Sequence, residues 1–285
     1  MTIHLECYPC LISQLVRLPR MIGLDEAAHK RVFHAMLKTI SEYDPENTYP
    51  GEMLVPLQLH FERETGKSDP LADIKKRATD ECLAMVPELE KKILASHDPF
   101  ETAVRIAIAG NIIDIGPVRS YDLPDVVERA LKEPLAMNRL PQLRAALDKA
   151  DWVLMLGDNA GETVFDRFLI QAIGKRVVYA VKERPVTNDA TMDDARAAGL
   201  HEVAELVSSG STAPGTIEKY CTPQFIELLH SAPLVIAKGM ANFETLWESM
   251  PSAYYLLQVK CAINAGLVGV PQGSFVVAGG NANAG

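Results

Sequence analysis

Trp152-Val153-Leu154-Met155-Leu156-Gly157-Asp158-Asn159-Ala160-Gly161-Glu162 is the stretch on which the fold turns. The apolar run from Trp152 to Leu156 has the length of a buried strand and stops at a glycine. An acid and an amide then stand side by side. Val164, Phe165, Phe168, Leu169 and Ile170 follow at helical spacing. Strand, polar turn, helix is the unit of an open α/β sheet, which carries its chemistry at the carboxyl ends of its strands. Asp158 and Asn159 supply hard oxygen ligands of the kind Mg²⁺ and Mn²⁺ prefer. Gly157 and Gly161 suit the turn. Glu162 lies in the first turn of the helix, as support behind the ligands or as favourable charge at a helix N-terminus.

The same unit repeats downstream. β-rich runs at 152–156, 177–181, 205–207 and 234–237 alternate with helical patterns at 163–173, 192–198 and 223–229, and 274–278 adds a last strand. This alternation predicts an α/β fold, a mainly parallel three-layer α/β/α sheet in the C-terminal half. Upstream the pattern is helical, at 11–21, 25–41, 71–94, 99–110, 124–131 and 140–150. Asp98 is placed to cap the helix that Pro99 begins. The expected organisation is a helical N-terminal section, 1–145, and an α/β core, 146–285, that carries the polar strand ends, as one integrated unit. The tail 279–285 reads as frayed.

Composition narrows the function. The chain has 285 residues, 48% of them hydrophobic, so a sizeable core is available. Its net charge of −9 and the lack of a polybasic run argue against a nucleic-acid partner. No apolar run reaches the roughly 20 residues needed to span a bilayer, and no signal peptide is visible. The expectation is a cytoplasmic protein with no membrane partner; nothing in the pattern speaks to oligomeric state. The five cysteines, an odd number, point to reduced thiols. Cys7 and Cys10 form a C-x-x-C pair, open to three readings: plain thiols near a helix start, a second metal site, or a redox pair.

The strand ends carry the chemistry. They are Gly157-Asp158-Asn159-Ala160-Gly161-Glu162; Val181-Lys182 with Thr187-Asn188-Asp189-Ala190-Thr191; Ser208-Ser209-Gly210-Ser211-Thr212; and Lys238-Gly239-Met240-Ala241-Asn242-Phe243-Glu244. Taken singly each has a plain explanation. Asp158, Asn188 or Asp189 could cap a helix, Lys238 could be a solvated strand end, and the serines could be an ordinary loop. Together at one edge they form a set for one task. Carboxylate and amide oxygens hold a cation, while an ammonium and backbone N–H groups hold a phosphate. Asn111 and Asp114, in Gly110-Asn111-Ile112-Ile113-Asp114-Ile115-Gly116, either line that pocket from the opposite side or merely end a helix.

These motifs, in this order, resemble the damage-control phosphatase family, formerly called domain of unknown function 89. The resemblance rests on Cys7-x-x-Cys10, Gly110-Asn111-Ile112-Ile113-Asp114, Gly157-Asp158-Asn159-Ala160-Gly161-Glu162, Asn188-Asp189-Ala190-Thr191 and Lys238-Gly239-x-x-Asn242-x-Glu244. The compact size and the C-x-x-C are similar to the stand-alone prokaryotic subfamily. The resemblance implies a metal-dependent phosphatase of small phosphorylated metabolites, sugar phosphates among them, using Mg²⁺, Mn²⁺, Co²⁺ or Ni²⁺. It also implies the metal ligands Asp158, Asn159 and Asp189, with Asn188, Asp193 and Asp194 close to the last.

The expected catalytic residues are Asp158 and Lys238. Lys238 and the backbone N–H groups around Ser209 and Gly210 are expected to hold phosphate oxygens. Asn242, Glu244, Asn111 and Asp114 are expected to shape the sugar or alcohol side of the pocket. Asp158 as a covalent nucleophile and direct attack by water both remain open, although the paired aspartates of haloacid dehalogenases are absent. Two alternatives compete: an S-adenosylmethionine-dependent methyltransferase, whose first motif is also a strand ending in a glycine-rich turn, and a non-catalytic sensor of metal or phosphate.

Overall fold

The computed structural model describes residues 1–114 and 122–280. Ile115 and Gly116 of the Asn111 cluster, and residues 281–285 of the expected tail, lie outside the described residues. In chain order the elements are α1 (Cys7–Met21), α2 (Glu26–Glu42), α3 (Leu54–Thr65), α4 (Ala72–Ala95), α5 (Pro99–Gly110), α6 (Leu123–Lys132), β1 (Met137–Asn138) and α7 (Leu140–Lys149). There follow β2 (Trp152–Leu156), α8 (Glu162–Ile173), β3 (Arg176–Val181), α9 (Met192–Ala197), β4 (Glu205–Ser208), α10 (Pro223–Ser231), β5 (Val235–Lys238), α11 (Gly239–Leu246), β6 (Tyr254–Gln258), α12 (Ala262–Val268) and β7 (Phe275–Gly279).

The strands form one sheet in the order β1-β7-β6-β5-β2-β3-β4. All neighbours run parallel except β6 and β7. The side-chain period of two divides each strand between two cores. Val153 and Met155, with Val177, Tyr179 and Ile236, pack under α4 to α8. Leu154 and Leu156, with Val178, Val235 and Ala237, pack under α10 to α12. A strand buried on both faces reads as a continuous apolar run, which is why 152–156 shows no alternation. The expected three-layer α/β/α architecture is the one observed.

The first core joins residues 82–130 to residues 153–277, so the helical section from α4 onward shares its interior with the sheet. Helices α1 to α3 enclose a separate apolar cluster with Leu15, Val32, Met36 and Phe61 fully buried. Asp98 accepts a hydrogen bond from the Glu101 N–H at 2.9 Å, capping α5 as its sequence predicts. Two strands and three helices were not visible in the sequence: β1, β6, α3, α11 and α12. β6 is a short apolar run without alternation, a pattern that strand and buried helix share.

Strand order decides where a site can form. From β2 the chain moves outward through β3 and β4. It then returns to the other side of β2 to lay down β5 and β6. The direction of winding therefore switches between β2 and β5, the place where an open α/β sheet leaves a crevice at its carboxyl edge. Asp158 follows β2 and Gly239 follows β5, so the two most specific motifs of the sequence flank that crevice.

Candidate active site

The crevice is a cavity of ≈ 170 Å³. Asp158, Asn159, Thr187 and Asp189 line its sheet side, and Asp114, Met240, Ala241 and Glu244 form further wall. Cys7, Cys10 and Cys261 close it from α1 and from the start of α12. The wall thus draws on both the helical section and the sheet.

Asp158 and Asn159 leave the sheet in a loop pinned to the loop after β3. Asn159 bridges Asp189, the Ala190 N–H donates to Asp158 O at 2.8 Å, and the Ala160 N–H donates to Asn188 O at 2.9 Å. Neither acid acts as a helix cap. Residue Gly161 occupies the capping position of α8 and offers no side chain, and Thr191 begins α9 with its N–H on Asp194 Oδ2 at 2.9 Å. The plain explanation of both acids therefore lapses.

Of the acids and the amide near the second strand end, Asp189 alone lines the cavity. Asn188 donates to Ile113 O at 3.0 Å, Asp194 pairs with Lys75 at 2.6 Å, and Asp193 lies 96% exposed at the surface. Asp189 Oδ2 is buried and takes no hydrogen bond; Lys182 Nζ stands off at 3.7 Å. Lys182 instead donates to Gly215 O.

Beneath the cavity lies a buried ion cluster. Lys238 is fully buried and donates to Ala107 O at 3.0 Å, to Asp166 Oδ1 at 2.5 Å and to Glu162 Oε1. The other Asp166 oxygen accepts the Tyr179 hydroxyl at 2.6 Å. Glu162 and Asp166 are four apart on α8 and so share one face. This placement corrects the sequence reading of Lys238. Its ammonium has three protein partners, and it balances two carboxylates instead of reaching into the pocket.

Ser209 and Gly210 also differ from expectation. The Ser209 N–H donates to Val181 O at 2.9 Å, Gly210 N–H to Ser208 Oγ at 3.0 Å, and Ser211 N–H to Ser209 Oγ at 3.2 Å. These donors are spent within the protein, and the loop does not line the cavity. Asn242 clamps the two central strand ends, donating to Gly157 O at 3.0 Å and Lys238 O at 2.8 Å while accepting the Thr216 hydroxyl at 2.8 Å. Asn111 is fully buried behind Asp158, to which it donates at 2.9 Å. Neither amide reaches the cavity, whereas Asp114 and Glu244 do. Asp114 pairs with Lys260 at 2.8 Å and Glu244 accepts from Asn264 at 2.8 Å.

The electrostatics follow from burial. Desolvation, reinforced by Glu162 and Asp189, pushes the Asp158 carboxyl well above the usual carboxylate range. Burial also raises Asp189 to about 6, against the pull of Lys182, and Asp166 to about 6, against that of Lys238. Burial works against the Lys238 charge, but Asp166 and Glu162 outweigh it and raise its pKa. Glu244 is pushed up to about 7 by burial, with Asn264 opposing. Burial likewise raises the thiols of Cys7, Cys10 and Cys261.

Sequence reasoning missed Asp166, Tyr179 and Lys260, and gave Lys182, which it placed in the second strand-end cluster, no role of its own. Asp166 had a usable signal, its four-residue spacing from Glu162. Lys260 had none, because it meets Asp114 across 146 residues.

A model of the damage-control phosphatase ARMT1-like domain matches residues 3–276 of this chain. The chain belongs to the damage-control phosphatase family. Within that family it is 32% identical over 282 residues to a damage-control phosphatase of Pyrococcus horikoshii, covering 97% of each chain. It is 30% identical over 279 residues to a damage-control phosphatase of Archaeoglobus fulgidus, covering 95% of this chain and 96% of that one. The crystal structure of a DUF89 family protein from Pyrococcus horikoshii superposes with a TM-score of 0.88 at 30% identity, covering 98% of this chain and 99% of the other. The family's fold and this crevice thus coincide in one chain. No helix among the described residues is long and apolar enough to cross a membrane.

Proposed function

We propose that this chain is a divalent-metal-dependent phosphatase that hydrolyses small phosphorylated metabolites, sugar phosphates among them, in metabolite damage control. The observation that carries the reading is a charge imbalance at the crevice. Four buried carboxylates, Asp158, Glu162, Asp166 and Asp189, face two buried ammonium groups, Lys182 and Lys238. Ionised together they would leave two negative charges without water to solvate them, which is why burial pushes Asp158 and Asp189 upward, and one Asp189 oxygen is without a hydrogen bond. Asp158 and Asp189, which line the same cavity, would hold a divalent cation, and its charge would answer both deficits.

The donor set fits such an ion. Asp158, Asn159 and Asp189 offer hard oxygens, suited to Mg²⁺ or Mn²⁺ and compatible with Co²⁺ or Ni²⁺. Among the described residues no three His, Cys, Asp or Glu side chains form a metal-holding group, so the set proposed is two acids and one amide. When bound, the cation would neutralise charge on a phosphoryl oxygen and acidify a water.

The protein's own groups supply the rest. Met240 and Ala241, at the start of α11, line the cavity, and the N-terminus of a helix favours an anion there. Asp114 and Glu244 form the wall available to the alcohol side of a substrate. Glu244, pushed up to about 7, is the wall group whose proton is available to a departing alkoxide near neutrality. Cys7, Cys10 and Cys261 narrow the cavity as neutral thiols.

Family membership favours this reading over a methyltransferase. The test is phosphate release from a panel of sugar phosphates, with and without Mn²⁺, Mg²⁺, Co²⁺ or Ni²⁺. Release that needs a metal and is lost in Asp158→Ala supports the reading. Release that persists after chelation, or in Asp158→Ala, overturns it. Tight phosphate binding with no turnover on the panel would favour the sensor.

A further inference from the structure

Four buried groups at the head of α8 close a ring of hydrogen bonds. The Asn159 side-chain NH₂ donates to Asp158 Oδ2 at 3.0 Å and to Glu162 Oε2 at 3.2 Å. The Asn111 NH₂ donates to the same two atoms, at 2.9 Å and 3.1 Å. A primary amide has two N–H donors, so both amides have spent theirs, one on each carboxylate. Only the amide oxygens remain. That of Asn111 accepts the Gln258 N–H at 3.3 Å, while Asn159 is the member of the pair that lines the cavity. Glu162 gives its other oxygen to Lys238, so all of its acceptors face protein and it is fully buried.

We propose that Glu162 is a positioning residue for the cation site. Together with Asn111 it fixes the rotation of the Asn159 amide, so that this side chain presents its oxygen, and not its NH₂, to a cation. The inference rests on the metal-dependent reading given above. The two ends of an amide are nearly alike in shape, and hydrogen-bond partners alone decide which faces a ligand. A flipped Asn159 would turn two N–H donors on a cation and set its oxygen against two carboxylate oxygens. The same ring holds Asp158 Oδ2 from behind with two donors, which leaves Oδ1 as the oxygen open to a ligand. Lys238 supplies the counter-charge for Glu162 in a place without water. The short motif Asp158-Asn159-Ala160-Gly161-Glu162 therefore contains two ligands and the group that aims one of them.

The experiment measures Mn²⁺ binding to the full chain by calorimetry, beside the melting temperature of each metal-free variant. Glu162→Gln is expected to weaken Mn²⁺ binding by about 10- to 100-fold, the usual effect of losing a group that orients a metal ligand. Asn159→Asp separates the ring from simple charge counting. A third carboxylate should tighten binding if Asn159 acts only as a ligand. It should weaken binding if the side chain must donate to Asp158 and Glu162. Combining Asn159→Asp with Glu162→Gln exchanges donor and acceptor and should recover most of that loss, which a merely structural defect would not. Unchanged affinity in Glu162→Gln, or tighter binding in Asn159→Asp, overturns the proposal.

Should the variants fail to fold, side-chain amide exchange in the ¹⁵N-labelled native chain decides. Slow exchange of the Asn159 NH₂, with and without Mg²⁺, is expected, and exchange at solvent rates overturns the ring. Native protein that binds no divalent cation fails the metal-dependent reading itself, a result distinct from the failure of Glu162 alone.

Discussion

Gly239 offers the sharpest test of the site. It begins α11 at φ +79°, in the left-handed region. A Cβ built there would lie 1.9 Å from Asp158 Oδ2 and 2.3 Å from its Cγ. Side-chain carbons do not approach other atoms closer than 3.0 Å, so in Gly239→Ala the Asp158 carboxylate must retreat by about 1 Å. Two costs follow. The backbone conformation costs about 1–2 kcal/mol for any residue with a Cβ. The displaced carboxylate costs turnover, on the order of 100-fold for a 1 Å error in a catalytic constellation. Gly174 provides the control. It ends α8 at φ +65°, and a Cβ there would meet nothing within 4 Å. Gly174→Ala should therefore lose the same about 1–2 kcal/mol, a few degrees of melting temperature, and keep its turnover. Thermal unfolding by circular dichroism, with phosphate release measured on the same samples, reads both effects. Native turnover in Gly239→Ala, or equal loss of turnover in Gly174→Ala, refutes the reasoning.

Other outcomes are expected. Mn²⁺ at about 100 times its dissociation constant should stabilise the fold by about 2.7 kcal/mol, and chelation should reverse the gain; a melting temperature indifferent to metal contradicts the charge imbalance. Lys238→Met should cost about 3–5 kcal/mol in urea unfolding, because Glu162 and Asp166 lose their buried counter-charge, whereas a lysine serving only phosphate would leave stability unchanged. Glu244 is held at about 7 against an ordinary 4.5, so between those values the folded chain binds more protons than the unfolded one. Its contribution to stability therefore falls as pH rises through that window, by up to about 3 kcal/mol, and Glu244→Gln should flatten the profile; an unaltered slope argues against the buried acid. Asp98→Ala should remove the α5 cap and cost about 0.5–2 kcal/mol with turnover intact, as checked by paired melting and phosphate-release assays.

Local chemistry made most of the scaffold legible. The α5 boundaries were readable because Asp98 and Pro99 mark its start, and β2 because a five-residue apolar run ending in glycine has few other structures open to it. α11 was hidden because it begins at Gly239 with no loop after β5, so its residues read as a polar strand end. Within the site, Asp158, Asn159 and Asp189 were picked from their motifs and do share the cavity wall. Lys238, Ser209 and Gly210 were picked by the same logic and do not.

The difference is one of direction. A motif states which groups stand near a strand end, but not which way each one turns. Along β5, alternation sends Lys238 to the face of Ile236, where α5 and α8 lie and where Glu162 and Asp166 wait for it. The sequence by itself determined the strand–turn–helix units and the oxygen-rich loops between them, because propensity, capping and apolar spacing act over a few residues. The tertiary structure alone decided which of those loops meet at the switch between β2 and β5, and which of their charges are spent on one another. Those choices depend on partners far apart in the chain, Asn111 with Asp158 and Lys238 with Ala107, brought together only when the two cores close.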